Sequence, residues 1–169
     1  PYATDIAREI LQRIKEETGL TASAGVSFNK FLAKVASDFH KPNGLTVVTP
    51  KMADKFIERL PIGKFFGVGK VTEKKMLDMG IKTGADLKKF SREELIRRFG
   101  KVGNYYYDIS HGCDNRPVNP NRIRKSVGQE RTLESDNADR QQMLEILSKL
   151  AARVEMYLKK HNIKGRTLT

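Results

Sequence analysis

The segment FFGVGKVTEKKMLDMGI, residues 65–81, decides how the rest of this sequence is interpreted. Gly67 and Gly69 flank Val68 immediately before a helical pattern. Glycines at such a turn let backbone N–H groups approach a phosphate, and the start of the helix adds a positive dipole. Lys70 adds a full charge beside them. The segment therefore predicts a helix-hairpin-helix that binds phosphate through Gly67, Val68, Gly69 and Lys70, although an ordinary turn between helices would have the same glycines.

A looser version of this pattern occurs in RRFGKVGNYYY, residues 97–107. Gly100, Lys101 and Gly103 lie between two predicted helices, and two arginines precede them. Two such hairpins could follow two points on one nucleic-acid strand, but a simple helix turn is an equal alternative. The three consecutive tyrosines, residues 105–107, must point to different faces of a helix. At least one of them is therefore expected to pack in the core rather than to stack on a base.

Composition favours a nucleic-acid partner inside a cell. Lys and Arg total 32 against 20 Asp and Glu, so the net charge is +12, which attracts polyanions. The single cysteine, Cys113, excludes an intramolecular disulfide and a thiolate zinc cluster. No apolar run reaches the roughly 20 residues that span a bilayer, and the start of the chain has no secretory pattern. We expect a cytoplasmic, nucleoid-associated protein without membrane contact.

A second basic surface is predicted in NKFLAKVASDFHKPNG, residues 29–44. At helical spacing the apolar residues gather on one face, while Lys30, Lys34 and Ser37 lie on the opposite face. Lys41 follows the helix and could extend this ridge of amines, which are suitable point charges for phosphates. A solvated lysine face is the alternative.

A third basic segment is RIRKSVGQERTL, residues 122–133, and its alternation of charged and apolar residues predicts a strand over residues 123–133. Arg124, Lys125 and Ser126 could contact phosphates from one side of this strand while the other side packs. The alternative is an exposed, charged strand edge that resists aggregation.

The order of elements combines an α/β part with an all-α part. Helices and strands alternate over residues 1–50, with strands predicted at residues 20–26 and 45–48, and short helices follow over residues 51–112. The segment CDNRPVNPN, residues 113–121, is the best linker candidate, and residues 122–169 begin a second α/β module with a helix near residues 138–161. The chain starts without methionine, and a strand pattern begins at residue 166, so we expect a piece of a longer protein.

The sequence contains no recognisable catalytic or metal-binding constellation. The adjacent acidic pairs, Glu16 with Glu17 and Glu93 with Glu94, fall on predicted helices rather than on strands that could hold two Mg²⁺ ions. The three histidines lie far apart near helix ends, where capping suffices. We expect no complete active site and no bound metal in these 169 residues.

Three motifs, ASAGVSFNKFLAKVASDFHKPNG, FGVGKVTEKKMLDMGI and RKSVGQERTL, resemble a Y-family translesion DNA polymerase in their order and spacing. The resemblance implies an incomplete palm over residues 1–50, a helical thumb over residues 51–112, and the start of a little-finger domain over residues 122–169. It also implies that Lys34 and Lys41 face the triphosphate of the incoming nucleotide, that the hairpin at Gly67 grips the DNA backbone, and that residues 124–126 lie beside the template.

In this family the aspartate and the Asp-Glu pair that hold two Mg²⁺ ions, and the fingers domain, correspond to positions before residue 1. The clamp-binding tail corresponds to positions after residue 169. The resemblance therefore implies a parent that performs template-directed nucleotidyl transfer in DNA damage tolerance. Its partners would be primer-template DNA, an incoming dNTP, Mg²⁺ and a sliding clamp, and we expect a monomer. The 169 residues alone are predicted to be inactive.

Two other functions compete with this interpretation. A helix-hairpin-helix DNA glycosylase would use an aspartate downstream of the hairpin, such as Asp86, but its all-helical fold does not suit the α/β start. A non-catalytic helix-hairpin-helix DNA-binding module fits every motif and needs no metal-binding carboxylates.

Overall fold

The computed structural model describes residues 2–168. It divides into two compact units, the first ending at Val118 and the second beginning at Asn119. This division falls within the predicted linker, residues 113–121. Among the described residues, no helix is long and apolar enough to cross a membrane.

The first unit opens with a small α/β arrangement. Helix α1 spans Ala3–Thr18, strand β1 Ala24–Ser27, helix α2 Lys30–Phe39 and strand β2 Leu45–Val48. The strands are parallel, with Ala24 opposite Leu45 and Ser27 opposite Val48. Because pairing starts at Ala24, β1 is shorter than the strand predicted from residue 20. The predicted α/β part is confirmed, with α2 as the crossover between the two strands.

Two local features position α2, a side-chain cap at its start and a close contact with a glycine of β1. The Asn29 carboxamide oxygen accepts a hydrogen bond from the Leu32 N–H, which caps the start of the helix. On the strand side, a Cβ added to Gly25 would lie 2.0 Å from the Ala33 carbonyl oxygen. Glycine at this position therefore lets α2 pack directly on β1, and its opposite face, with Lys34, stays accessible to solvent.

The remainder of the first unit is helical. Its elements are α3 Pro50–Arg59, a 3₁₀ turn Ile62–Lys64, α4 Lys70–Asp78, α5 Gly84–Leu87, α6 Arg92–Phe99 and α7 Val102–Ser110. Ser91 and Glu94 form a capping box at the start of α6, and Gly80 after α4 is left-handed. The helical and α/β parts share a core, since the rings of Phe31 and Phe65 lie 5.5 Å apart and both side chains are buried.

The second unit contains α8, Arg140–Lys160, whose start is capped by the Asp139 carboxylate. The predicted helix is confirmed. The predicted strand over residues 123–133 is wrong, because no residue in the described part of this unit is in a strand. Backbone hydrogen bonds to a neighbouring strand define a strand, and no such neighbour forms here. The strand predicted from residue 166 is likewise not present over residues 166–168, and residue 169 lies outside the described residues.

Candidate nucleic-acid interface

The first glycine hairpin forms between the 3₁₀ turn and α4. Gly67 has φ of 93°, a left-handed conformation that side chains rarely adopt, so glycine is required here. The Val68 N–H donates to the Phe65 carbonyl at 3.0 Å, which closes the turn, and the buried Phe65 ring anchors it. Gly69 is extended and α4 begins at Lys70. The predicted hairpin geometry is confirmed, and its contact with phosphate stays a prediction.

The outer side of this hairpin presents the start of α4 to solvent. Gly69 makes no side-chain cap, so the first N–H groups of α4 have no partner of that kind within the described residues. A Cβ added to Gly69 would meet no atom within 4 Å beyond its chain neighbours, so the space beside this residue at the start of the helix is open. The Lys70 side chain is 96% exposed and lies 3.3 Å from the Glu73 carboxylate. An anion approaching this hairpin would meet N–H groups, a helix dipole and an ammonium together.

Two tyrosines of α7 donate hydrogen bonds to the backbone of the same hairpin. The Tyr105 hydroxyl donates to the Phe66 carbonyl at 3.1 Å, and the Tyr106 hydroxyl donates to the Gly67 carbonyl at 3.5 Å. Burial raises the pKa of Tyr105, which further favours the protonated hydroxyl that donates this hydrogen bond. The expectation that at least one tyrosine packs in the core is confirmed by Tyr106, which is buried. Sequence patterns did not reveal that both hydroxyls bind the hairpin, since the contacts span 39 residues.

The second glycine turn joins α6 to α7. Gly100 ends α6 with φ of 67°, and Lys101 is exposed beside it. Gly103 is different, because it is buried, and an added Cβ would lie 2.3 Å from the Leu95 carbonyl carbon and oxygen. The structure therefore gives Gly103 a packing role between α6 and α7 rather than an exposed surface. Of the residues predicted here, Gly100 and Lys101 are accessible to a ligand.

One lysine connects the two glycine turns. Lys75 of α4 donates from its ammonium group to the Arg98 carbonyl at the end of α6. The same ammonium lies 4.8 Å from the centre of the Phe99 ring. A cation is favoured at a helix C-terminus. Lys75 therefore joins the helix that starts at the first hairpin to the helix that ends at the second.

The predicted amine ridge is organised by a single carboxylate. Lys34 lies 2.6 Å from Asp38 Oδ2, and Lys41 lies 2.5 Å from Asp38 Oδ1. Hydrogen bonds from Lys34 and then Lys41 lower the pKa of Asp38. All three side chains are about half exposed, so a phosphate could reach both amines. The structure brings the two predicted phosphate-binding lysines together, and sequence reasoning missed Asp38 between them.

In the second unit, Arg124, Lys125 and Ser126 are exposed. The Arg124 guanidinium lies 4.9 Å from the centre of the Tyr157 ring on α8. This cation–π contact orients Arg124 without removing its charge from solvent.

The residues do not fit a magnesium site. Across residues 2–168, no three His, Cys, Asp or Glu side chains lie where they could share a metal ion. Asp86, the candidate of the glycosylase alternative, accepts hydrogen bonds from Lys89 and from the Lys82 and Thr83 N–H groups. These hydrogen bonds, the one from Lys89 first, lower its pKa to about 2. The carboxylate caps α5 and is committed to that structural role.

The fold and this site define a helix-hairpin-helix protein with an α/β start. Family models match the chain in order: the impB/mucB/samB family over residues 2–38, the thumb domain of DNA polymerase iota over residues 63–114, and the impB/mucB/samB C-terminal domain over residues 124–169. The thumb model spans both glycine turns.

Curated relatives and solved structures agree with these models. The chain is 56% identical to DNA polymerase IV of Clostridium perfringens over 99% of its length and 46% of the relative. It is 53% identical to DNA polymerase IV of Listeria monocytogenes over 98% of its length and 47% of the relative. A Y-family DNA polymerase chimera matches with a TM-score of 0.76 and 32% identity, over 90% of this chain and 44% of that one.

A DinB structure from Sulfolobus solfataricus matches with a TM-score of 0.63 and 33% identity, over 68% of this chain and 34% of that one. The chain belongs to the Y family of DNA polymerases and is similar to part of DNA polymerase IV. It spans about half the length of the curated relatives that it matches.

Proposed function

We propose that this chain is the DNA-backbone-binding part of a translesion DNA polymerase. The observation that carries the proposal is the exposed hairpin at Gly67, where the uncapped start of α4 and Lys70 face open space. Its position within the residues matched by a polymerase thumb model supports DNA as the ligand. Such N–H and ammonium groups bind phosphate without reading bases, so the hairpin would hold DNA of any sequence.

The other predicted residues take complementary roles in this proposal. Gly100 and Lys101 provide a second backbone contact, which Lys75 holds to α4. Lys34 and Lys41 bind the triphosphate of the incoming dNTP, which would displace the Asp38 carboxylate from between them. Arg124, Lys125 and Ser126 contact the template backbone. Gly103 contributes through helix packing.

For the whole protein we propose template-directed nucleotidyl transfer during DNA damage tolerance and repair. The relatives named DNA polymerase IV support this activity, with primer-template DNA and dNTP as substrates. The proposal also includes Mg²⁺ as the metal, a sliding clamp as partner, a monomeric state, and a cytoplasmic, nucleoid-associated location. Since residues 2–168 do not form a metal site, the 169-residue chain alone should not extend a primer.

The backbone-binding proposal is tested by measuring duplex affinity of the 169-residue chain as a function of salt. The log-log slope should be near −0.9 for each phosphate that the chain neutralises. Gly69→Val should weaken binding alike for unrelated sequences, because the new side chain fills the space that a phosphate would enter. Gly165→Val is the matched control, since its Cβ also meets nothing within 4 Å but lies outside both hairpins. An affinity that does not depend on salt, or equal binding by both variants, would overturn the proposal.

The prediction that the isolated chain is inactive has its own test. Primer extension is measured with primer-template DNA, dNTPs and Mg²⁺. Synthesis by the 169-residue chain would show that the catalytic assignment is wrong, whereas DNA binding without extension is the expected result.

A further inference from the structure

A buried carboxylate ties the segment after α7 to the start of α2. The Asp114 side chain is 2% exposed, and its Oδ2 accepts the backbone N–H of Phe31 at 2.8 Å. Arg116 binds both oxygens, with Nε 2.6 Å from Oδ1 and Nη2 2.8 Å from Oδ2. A forked, charge-assisted contact of this kind fixes both partners in orientation. Asn29 adds a parallel tie, since its Nδ2 donates to the Gly112 carbonyl at 2.8 Å.

The same arginine reaches the tyrosine that supports the first hairpin. The Arg116 guanidinium carbon lies 5.0 Å from the centre of the Tyr105 ring. The Tyr105 hydroxyl in turn donates to the Phe66 carbonyl. A continuous set of contacts therefore runs from the start of α2 through Asp114, Arg116 and Tyr105 to the hairpin.

The geometry of the peptide unit explains why this matters for phosphate binding. The carbonyl of Phe66 and the N–H of Gly67 belong to one planar, trans peptide, so they point in opposite directions. The Tyr105 hydroxyl holds that carbonyl on the protein side, which directs the Gly67 N–H away from Tyr105. Gly67 has no side chain to resist rotation of this peptide, and glycine at positive φ accepts alternative turn types. The hydrogen bond from the Tyr105 hydroxyl therefore restricts the peptide rotation that Gly67 alone would allow.

We propose that Tyr105 and Arg116 are positioning residues, which aim the hairpin N–H groups at the DNA backbone. This inference rests on the proposed function for its DNA readout. Arg116 acts through Tyr105, because its charge is already matched by Asp114 and its guanidinium lies over the ring.

Two conservative variants with matched controls test the proposal. Tyr105→Phe removes only the hydroxyl that binds Phe66. Tyr107→Phe is the control on the same helix, because the Tyr107 ring packs against Arg92 and His111, and neither residue belongs to the hairpin. Arg116→Lys keeps the charge but loses the fork and the stacking. Arg13→Lys is its control, since Arg13 also binds a carboxylate through Nε and Nη2, on exposed α1.

Duplex affinity is measured at fixed salt and across a salt series, with melting temperature and amide hydrogen exchange of each variant. Tyr105→Phe and Arg116→Lys should weaken binding by about two- to tenfold, the range of one hydrogen bond, and reduce the salt slope. They should also speed exchange of the Val68 amide, whereas both controls behave as the parent chain. A role confined to stability would lower the melting temperature and leave the affinity and slope of the folded chain unchanged, which would overturn the proposal.

The exchange rate of the Val68 amide distinguishes failure of this positioning proposal from failure of the proposed DNA-binding function on which it rests. If the parent chain binds no duplex but Tyr105→Phe and Arg116→Lys still speed exchange at Val68, the proposed function fails and the positioning of the hairpin stands. If both variants bind and exchange as their controls do, the positioning proposal is wrong even when DNA binding is salt-dependent.

Discussion

The ammonium group of Lys34 lies 2.6 Å from one carboxylate oxygen of Asp38, one helical turn further along α2. Lys41 lies 2.5 Å from the other oxygen, after the end of the helix. One carboxylate therefore gathers two amines whose predicted ligand is a phosphate. The arrangement also means that any phosphate must compete with Asp38 for the same two charges.

Asp38→Asn should strengthen binding of inorganic tripolyphosphate. A unit charge at about 4 Å contributes roughly 1 kcal/mol in a water-like dielectric, so an increase of about two- to tenfold is expected at low salt. Asp5→Asn is the control, since this substitution also removes one negative charge, but from an ion pair with Arg8 on α1. Calorimetric titration of both variants is the measurement. Unchanged or weaker binding by Asp38→Asn would remove Lys34 and Lys41 from the proposed triphosphate site.

Gly67 and Gly69 should respond differently to alanine. At Gly67 the positive φ and a new Cβ 3.2 Å from the Tyr105 ring both oppose a side chain, so Gly67→Ala should lower the free energy of unfolding by about 1–2 kcal/mol. Gly69 has φ of −83° and no atom within 4 Å of an added Cβ, so Gly69→Ala should change the free energy of unfolding by about 0.5 kcal/mol or less. Urea unfolding measures both. Equal losses would mean that the left-handed turn is absent in solution.

Gly103→Ala should damage packing without removing a phosphate contact. Its Cβ would overlap the Leu95 backbone, and overpacking of this kind costs about 1–3 kcal/mol. The melting temperature should fall, while the salt slope for duplex binding, measured below that temperature, stays that of the parent chain. A reduced slope with an unchanged melting temperature would return Gly103 to the list of DNA contacts.

The pH dependence of stability should include a contribution from Asp86. Its folded pKa of about 2 lies below the ordinary aspartate value of 3.8, so its charge stabilises the fold above pH 3.8 and this stabilisation disappears as the pH falls towards 2. Urea unfolding of the parent chain and Asp86→Asn should therefore differ by a constant amount above about pH 4, and the difference should shrink towards pH 2. A difference that stays constant throughout this range would contradict the charged cap at α5.

Local patterns predicted the features that depend on neighbouring residues. The turn at Gly67 and the amphipathic α2 both follow from spacings of a few residues, and the structure confirms them. The contact between Asp114 and Phe31 joins residues 83 positions apart, and no short-range pattern encodes it. The strand predicted over residues 123–133 failed for the same reason. Its alternation of charged and apolar residues fits a strand, but only a distant partner strand could pair with it.

Arg124 and Lys125 provide the last test, because the loss of the predicted strand leaves their charge and exposure intact. Both are exposed in the second unit, and the contact of Arg124 with Tyr157 keeps its guanidinium accessible. If each neutralises one backbone phosphate, Arg124→Ala and Lys125→Ala should each reduce the magnitude of the salt slope by about 0.9. Lys159→Ala is the control, since Lys159 lies 2.6 Å from Glu155 and its charge is matched. If all three variants change the slope equally, the affinity reflects net charge rather than these two contacts, and the segment at residues 124–126 is not a specific part of the interface.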